Sequence, residues 1–240
     1  MSYKRAFLIS FAINLYFLGL CIVFGDLRFD AIDDVFMSGI LSGIYGDDYN
    51  VHLTFVNALY GCCLLPFYHL FPKINWYYIG EMASVFISLT VVGYIIVNKV
   101  GEKWGAILTT VFVTLCASDF YLAIQFTKCA AMLSATGMLA FIYGLENKSG
   151  GSNLKNWIVP LLVGILLLWW GSWMRWEAFL MGMPFFAMAL LLLVKKLWNV
   201  KSTVIIALLV MFAGAYAFKA FNSSLYQAPD YKKYMEFQGP

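Results

Sequence analysis

The sequence predicts an all-α, polytopic helical membrane protein with about seven transmembrane helices and two amphipathic juxtamembrane helices in the first outer loop. Three observations predict it. Of 240 residues, 62% are hydrophobic and only 12% charged, against about 45–50% and 25% in soluble domains. The apolar residues gather into stretches near the roughly 20 residues that cross a bilayer core. Basic residues alternate between rich and poor loops, as sidedness requires. So little charge cannot cover a water-facing surface of this size, which excludes a soluble enzyme, a nucleic-acid-binding module and a disordered tail.

The elements follow in order. Residues 7–24, preceded by Lys4-Arg5, form an apolar run too long for a signal-peptide core, and no small-residue cleavage site follows it. A retained first span is expected. Further candidates are 52–71, 77–97, 105–124, 126–145, 157–174, 178–194 and 203–221. Seven basic residues fall in three short loops: Lys99 and Lys103; Lys148 and Lys155; Lys195, Lys196 and Lys201. The alternate short loops hold three, Lys73, Lys128 and Arg175. The rich loops should be cytoplasmic, together with the N-terminus. An even number of spans must then separate Lys4 from Lys99, so one of the first three candidates does not cross.

The stretch 52–71 is the one to demote, since it carries His52, Asn57, Pro66 and His69. Before it, in 33–45, Phe36, Met37, Ile40, Leu41 and Ile44 share one face and Ser38, Gly39, Ser42 and Gly43 the other. That spacing predicts an amphipathic helix lying in the membrane surface. Residues 25–76 thus read as one outer loop with two membrane-skimming helices. Residues 1–221 make a single transmembrane module, and 222–240 a polar outer-face tail of a short protein or a fragment of a longer one. Acids sort with this topology: Asp26, Asp30, Asp33, Asp34, Asp47, Asp48, Asp119, Glu177, Asp230, Glu236 and Glu81 outside, Glu102 and Glu146 inside. Acids contribute little to sidedness, so their asymmetry points to function at the outer face.

Three clusters could carry chemistry. Asp33-Asp34 opens the first skimming helix. The pair reads either as a cap with a dipole-stabilised acid or, with Asp30 beside it, as carboxylates suited to general-base work. Successive helical residues diverge by about 100 degrees, so only one of the two faces a substrate. Asp119 and Lys128 flank an outer hairpin, where ionisable groups at a span end are functional or form a mutual salt bridge. Arg175 and Glu177, in the turn Trp173-Met-Arg-Trp-Glu177, offer a planar fork among aromatic faces for a phosphate, or an interfacial anchor. Asp47-Asp-Tyr-Asn50 reads as a turn, and His52 opens the second skimming helix. The five cysteines, with no C-x-x-C pair, read as small buried hydrophobes, and neither histidine has a zinc spacing.

This layout resembles the GT-C superfamily of polyprenyl-linked glycosyltransferases. The resemblance rests on acids in the loop after the first span (Asp33-Asp34), a second juxtamembrane segment running from His52 to Leu70-Phe-Pro72, and an acid at the outer end of the third span (Asp119). The His-Pro-Pro-like signature of many members is absent, since Leu53-Thr54 follow His52. The resemblance implies transfer of a sugar from a polyprenyl-phosphate donor to a glycan, lipid or protein acceptor, at the outer face of a bacterial inner membrane. Asp33 or Asp34 would be the base and Lys128 and Arg175 the phosphate partners, with Asp119, His52 and Glu177 in support. Some members bind a divalent metal; nothing in this sequence specifies ligands for one. A transporter or flippase, and a non-catalytic assembly subunit, are the alternative readings of the same residues.

Overall fold

The computed structural model describes residues 3–46 and 48–227. Asp47 and residues 228–240, including Asp230 and Glu236, lie outside the described residues. The chain is helical almost throughout. Its helices are α1 (Tyr3–Phe24), α2 (Ile32–Leu41), α3 (Ala58–Leu70), α4 (Trp76–Val100), α5 (Glu102–Ala117), α6 (Phe126–Ser149), α7 (Leu154–Met174), α8 (Trp176–Leu192), α9 (Val194–Leu197) and α10 (Lys201–Leu225). Six segments are long and apolar enough to cross a membrane: α1, α4, α5 with its following turn, α6, α7 and the α9–α10 unit. This is an integral membrane protein. The apolar helix α8 has 17 residues and α3 has 13; at 1.5 Å per residue α3 spans only about 20 Å, well short of a bilayer core.

Burial follows the position of each helix in the bundle. α6 is central, with 67% of its apolar window buried, whereas α1 and the last segment bury 11% and 17%. The exposed faces of these outer helices are Leu, Ile, Phe and Val, as lipid contact requires. Helices in lipid gain little from the hydrophobic effect and associate by close packing. α6 and α7 do so through small residues. Ala130, Gly137 and Gly144 recur every seventh residue; Ala130 meets Gly171 of α7, Gly137 meets Gly164, and Gly144 meets the backbone of Trp157 and Leu161. A Cβ on Gly137 would lie 2.9 Å from the Gly164 carbonyl oxygen, and one on Gly164 2.6 Å from the Phe141 nitrogen. Neither neighbour is a movable side chain, so a larger residue would push the helices apart.

Polar groups stitch α1 to α4. The buried Asn14 amide donates to the Phe86 carbonyl at 2.8 Å and to Thr90 Oγ1 at 2.9 Å, and its oxygen accepts from the Tyr121 hydroxyl at 2.8 Å. Ser10 adds a bond to the Thr90 carbonyl at 2.7 Å. Each such interhelical bond contributes on the order of 0.6 kcal/mol.

Arg5 and Glu102 pair at 2.7 Å, so the starts of α1 and α5 share one end of the bundle. Lys99, Glu146 and Lys196 meet at that same end. The opposite end holds α2, α3 and the remaining charged cluster.

Three expectations are corrected here. The second skimming segment is helical only from Ala58, capped by Asn57, whose side chain accepts from the Leu59 N–H at 2.9 Å. His52 therefore lies in an irregular segment six residues before the helix rather than opening it. On α2 the faces differ from the simple amphipathic reading: Asp34, Met37, Ser38, Gly39 and Leu41 pack inward, while Ile32, Val35 and Phe36 point out. A helix beside a bundle meets protein on one side and lipid on the other, so the polar Asp34 and Ser38 go to the protein side together with Met37 and Leu41. Residues 222–225 continue α10 instead of starting a tail. The all-α expectation holds apart from one short parallel pair, β1 (Arg28–Phe29) with β2 (Ala123–Ile124).

Candidate functional site

The site is built around the first turn of α6. A helix start leaves N–H groups unpaired, and the N-cap residue Gln125 supplies no side-chain bond. The missing acceptor comes from α2: Asp34 Oδ1 accepts from the Phe126 N–H at 3.2 Å and from the Tyr77 hydroxyl at 3.1 Å. An acid at this place also meets the positive end of the helix dipole.

Neither acid of the pair caps its own helix. Ala31 is the N-cap of α2, without a side-chain bond, and Asp33 and Asp34 occupy the first turn. Asp34 is fully buried, whereas Asp33 is half-buried. Burial pushes the Asp34 carboxyl above its ordinary range, against the hydrogen bonds from Phe126 and Tyr77. Asp30 turns away from the pair. It joins Asp119 on Lys128, whose ammonium lies 3.0 Å from each carboxylate and 3.2 Å from the Ala123 carbonyl. The β1–β2 pair and the bond from Asp30 N–H to the Ile124 carbonyl at 2.8 Å fix this arrangement. Asp119 itself sits in a π-helical turn, Ser118–Leu122, at the end of α5.

Arg175 reaches the same turn of α6 from the α7–α8 junction. One guanidinium nitrogen donates to Thr127 Oγ1 at 3.2 Å, and the plane lies 5.1 Å from the Phe126 ring centroid. Glu177 is its acidic neighbour at 3.7 Å. Three clusters separate in sequence thus touch three successive residues: Asp34 and Arg175 at Phe126, Arg175 at Thr127, and Asp30 and Asp119 at Lys128.

His52 stands apart from this turn. Its Nδ1 lies 2.9 Å from Asn50 Oδ1 and its ring packs edge-on to Tyr226. Burial pulls its imidazole below the usual range, which favours the neutral form. Behind Arg175 a cavity of roughly 220 Å³ is bounded by Asn57, Trp173, Trp176, Glu177, Lys219 and Asn222. Lys219 stacks over the Trp176 ring at 4.6 Å. Trp173 also borders an apolar cavity of roughly 390 Å³ between α3, α4 and α7, with Leu64, Phe67 and Trp170.

The residues do not form a ligand set for a divalent ion. Asp30 and Asp119 already share a cation in Lys128, and among the described residues no three His, Cys, Asp or Glu side chains group to hold a metal. The five cysteines are free thiols, and Cys129 is buried beside the Glu81 carbonyl. Glu81 is the residue that sequence reasoning undervalued. It reads as an acid near a helix start, yet it is fully buried against Asp34. The available signal was a carboxylate five residues inside an apolar helix with no basic residue one turn away. No family model, curated protein or solved structure matches this chain.

Proposed function

We propose that this protein is a GT-C-like membrane glycosyltransferase that moves a sugar from a polyprenyl-phosphate donor to an acceptor hydroxyl at the outer membrane face. The observation that carries the reading is the convergence of three acidic and basic clusters on the first turn of α6. A helix N-terminus favours a phosphate, and Arg175 adds a guanidinium that is one-third exposed. Lys128 keeps Asp30 and Asp119 in place and contributes its charge nearby. Asp33 is the base in this reading, because Asp34 is buried and already holds two donors.

The step balances simply. Asp33 takes the proton of the acceptor hydroxyl, that oxygen bonds to the anomeric carbon, and the carbon–phosphate oxygen bond breaks with inversion. The electron pair leaves with polyprenyl phosphate, whose charge Arg175 stabilises in a water-poor setting. Glu177 orients Arg175, and the polar cavity beside it suits a sugar. The apolar cavity across Trp173 suits the first isoprene units. In this reading α8, about 25 Å long, is a seventh span. The end holding Lys99 and Lys196 is cytoplasmic, because the basic loops gather there, and the membrane is a bacterial inner membrane.

The test uses the whole chain in nanodiscs with a mixture of polyprenyl-phosphate sugars, followed by mass spectrometry. Wild type is expected to consume one donor and Asp33→Asn to lose at least about 100-fold in rate, the usual weight of a general base. Equal turnover in both would remove Asp33 from the chemistry. Binding without turnover would make the chain a donor-binding module, and neither would sink the reading. Beyond the labelling of the five native thiols in wild type, a thiol reagent should add label at Asp48→Cys from outside the cell; added label only from within would reverse the orientation.

A further inference from the structure

Two carboxyl side chains, Asp34 of α2 and Glu81 of α4, are both 0% exposed, and Glu81 follows by one helical turn the Tyr77 whose hydroxyl donates to Asp34 at 3.1 Å, which brings the two acids onto the same buried seam. Three of their four oxygens, Asp34 Oδ2 and Glu81 Oε1 and Oε2, have no donor. Two ionised carboxylates there would repel in a low-dielectric site and leave all three oxygens unsatisfied. The groups around them supply no compensating charge. Asp33 stands beside them on α2, Tyr60 faces them from α3, Tyr77 and Tyr78 from α4, and Cys129 from α6. Among the described residues no Lys, Arg or His pairs with either acid.

We propose that Asp34 and Glu81 form a buried proton-binding site, in which Glu81 is a neutral carboxylic acid donating to the Asp34 carboxylate. The direction follows from the partners. Asp34 Oδ1 already accepts from Tyr77 and Phe126, so negative charge is best placed on Asp34. Glu81 accepts nothing and is the better place for the proton. A Glu81 O–H directed at Asp34 Oδ2 gives a partner to two of the three orphan oxygens at once. The shared proton fastens α2 to α4, while the Phe126 bond fastens it to α6. This proton-binding site stands independently of the glycosyltransferase reading.

The experiment is infrared spectroscopy of the full chain in a detergent without ester groups, in H₂O and D₂O. Near neutral pH wild type should show the carbonyl stretch of a neutral carboxylic acid, shifted down by deuteration. Glu81→Gln should lose that band, and Glu146→Gln should keep it. Carbon-13 labelling of glutamate side chains assigns the band in the wild-type chain, so a variant that fails to fold leaves the test intact. Absence of the band in wild type, its survival in folded Glu81→Gln, or a shift with labelled aspartate alone would each overturn the proposal.

Discussion

The two ends of the bundle treat buried acids in opposite ways. At one end Glu146, only 16% exposed, is clamped by Lys99 at 2.7 Å and Lys196 at 2.6 Å. Lys148 beside it lies over the Trp157 ring at 4.1 Å and bonds Thr203. At the other end Asp34 and Glu81 are buried more deeply and have only hydrogen bonds. The clamp joins α4, α6 and α9 and uses up its charges in doing so. The acid pair joins α2, α4 and α6 and leaves polar atoms over, which in a buried site is tolerated where it serves something besides packing. The difference is one of means: charge pairing holds the acid at one end, and hydrogen bonding alone holds the acids at the other.

Removing one acid from each end should separate them most clearly. Asp34→Ala leaves the Phe126 N–H and the Tyr77 hydroxyl without their acceptor, at about 1–3 kcal/mol for each buried donor. A total loss of about 2–6 kcal/mol is expected in denaturant unfolding of the detergent-solubilised chain. Glu146→Gln leaves two lysines that are 45% and 52% exposed, and water takes over much of their solvation. That loss should stay at about 1 kcal/mol or below. Equal losses would erase the contrast between the ends.

Acidity should tell them apart next. If Glu81 holds a proton in the folded protein, the unfolded chain releases that proton above the ordinary carboxylate range near 4. The folded state then binds more protons than the unfolded state, so stability is fully present below that range. It falls as pH rises, by about 1.4 kcal/mol per pH unit, until the folded pair also loses its proton. The upward push of burial on Asp34 acts in the same direction. Unfolding of wild type and Glu81→Gln across pH 5–8 measures this: wild type should slope downward relative to the variant, and parallel curves would contradict the shared proton.

Much of the fold was legible because membrane helices declare themselves by length and composition alone. The acids and bases of the cluster at the α2–α3 end were legible too, since charge at a span end is conspicuous. Their division of labour was not. Asp33 and Asp34 are neighbours in sequence, and only the packing of α2 decides that Asp34 goes in. Its buried face mixes Asp34, Ser38 and Gly39 with Met37 and Leu41, while Ile32, Val35 and Phe36 point out, a division that a simple amphipathic pattern hides. Glu81 passed as an interfacial acid because its partner lies 47 residues earlier in the chain. The seven-residue recurrence of Ala130, Gly137 and Gly144, matched by Gly164 and Gly171, was written in the sequence but speaks of packing only once the facing helix is known. Asn14 gave an equally local signal, a lone amide inside an apolar span, whose partners on α4 and in the turn after α5 required the fold.

Salt gives the smallest effect and the most selective one. Lys99 and Lys196 are half-exposed, so counterions reach the clamp around Glu146. Raising salt from about 0.1 M to about 1 M shortens the screening length from about 10 Å to about 3 Å. It should cost wild type a few tenths of a kcal/mol of the clamp. Salts also change solvation generally, so the measurement is the difference in salt response between wild type and Glu146→Gln, not the response itself. The Asp34–Glu81 pair has no basic partner to screen and no solvent contact, so Glu81→Gln should respond to salt as wild type does. A salt response that changes with Glu81→Gln but not with Glu146→Gln would mean that mobile ions reach the acid pair, and the distinction between a charge-paired end and a proton-held end would fail.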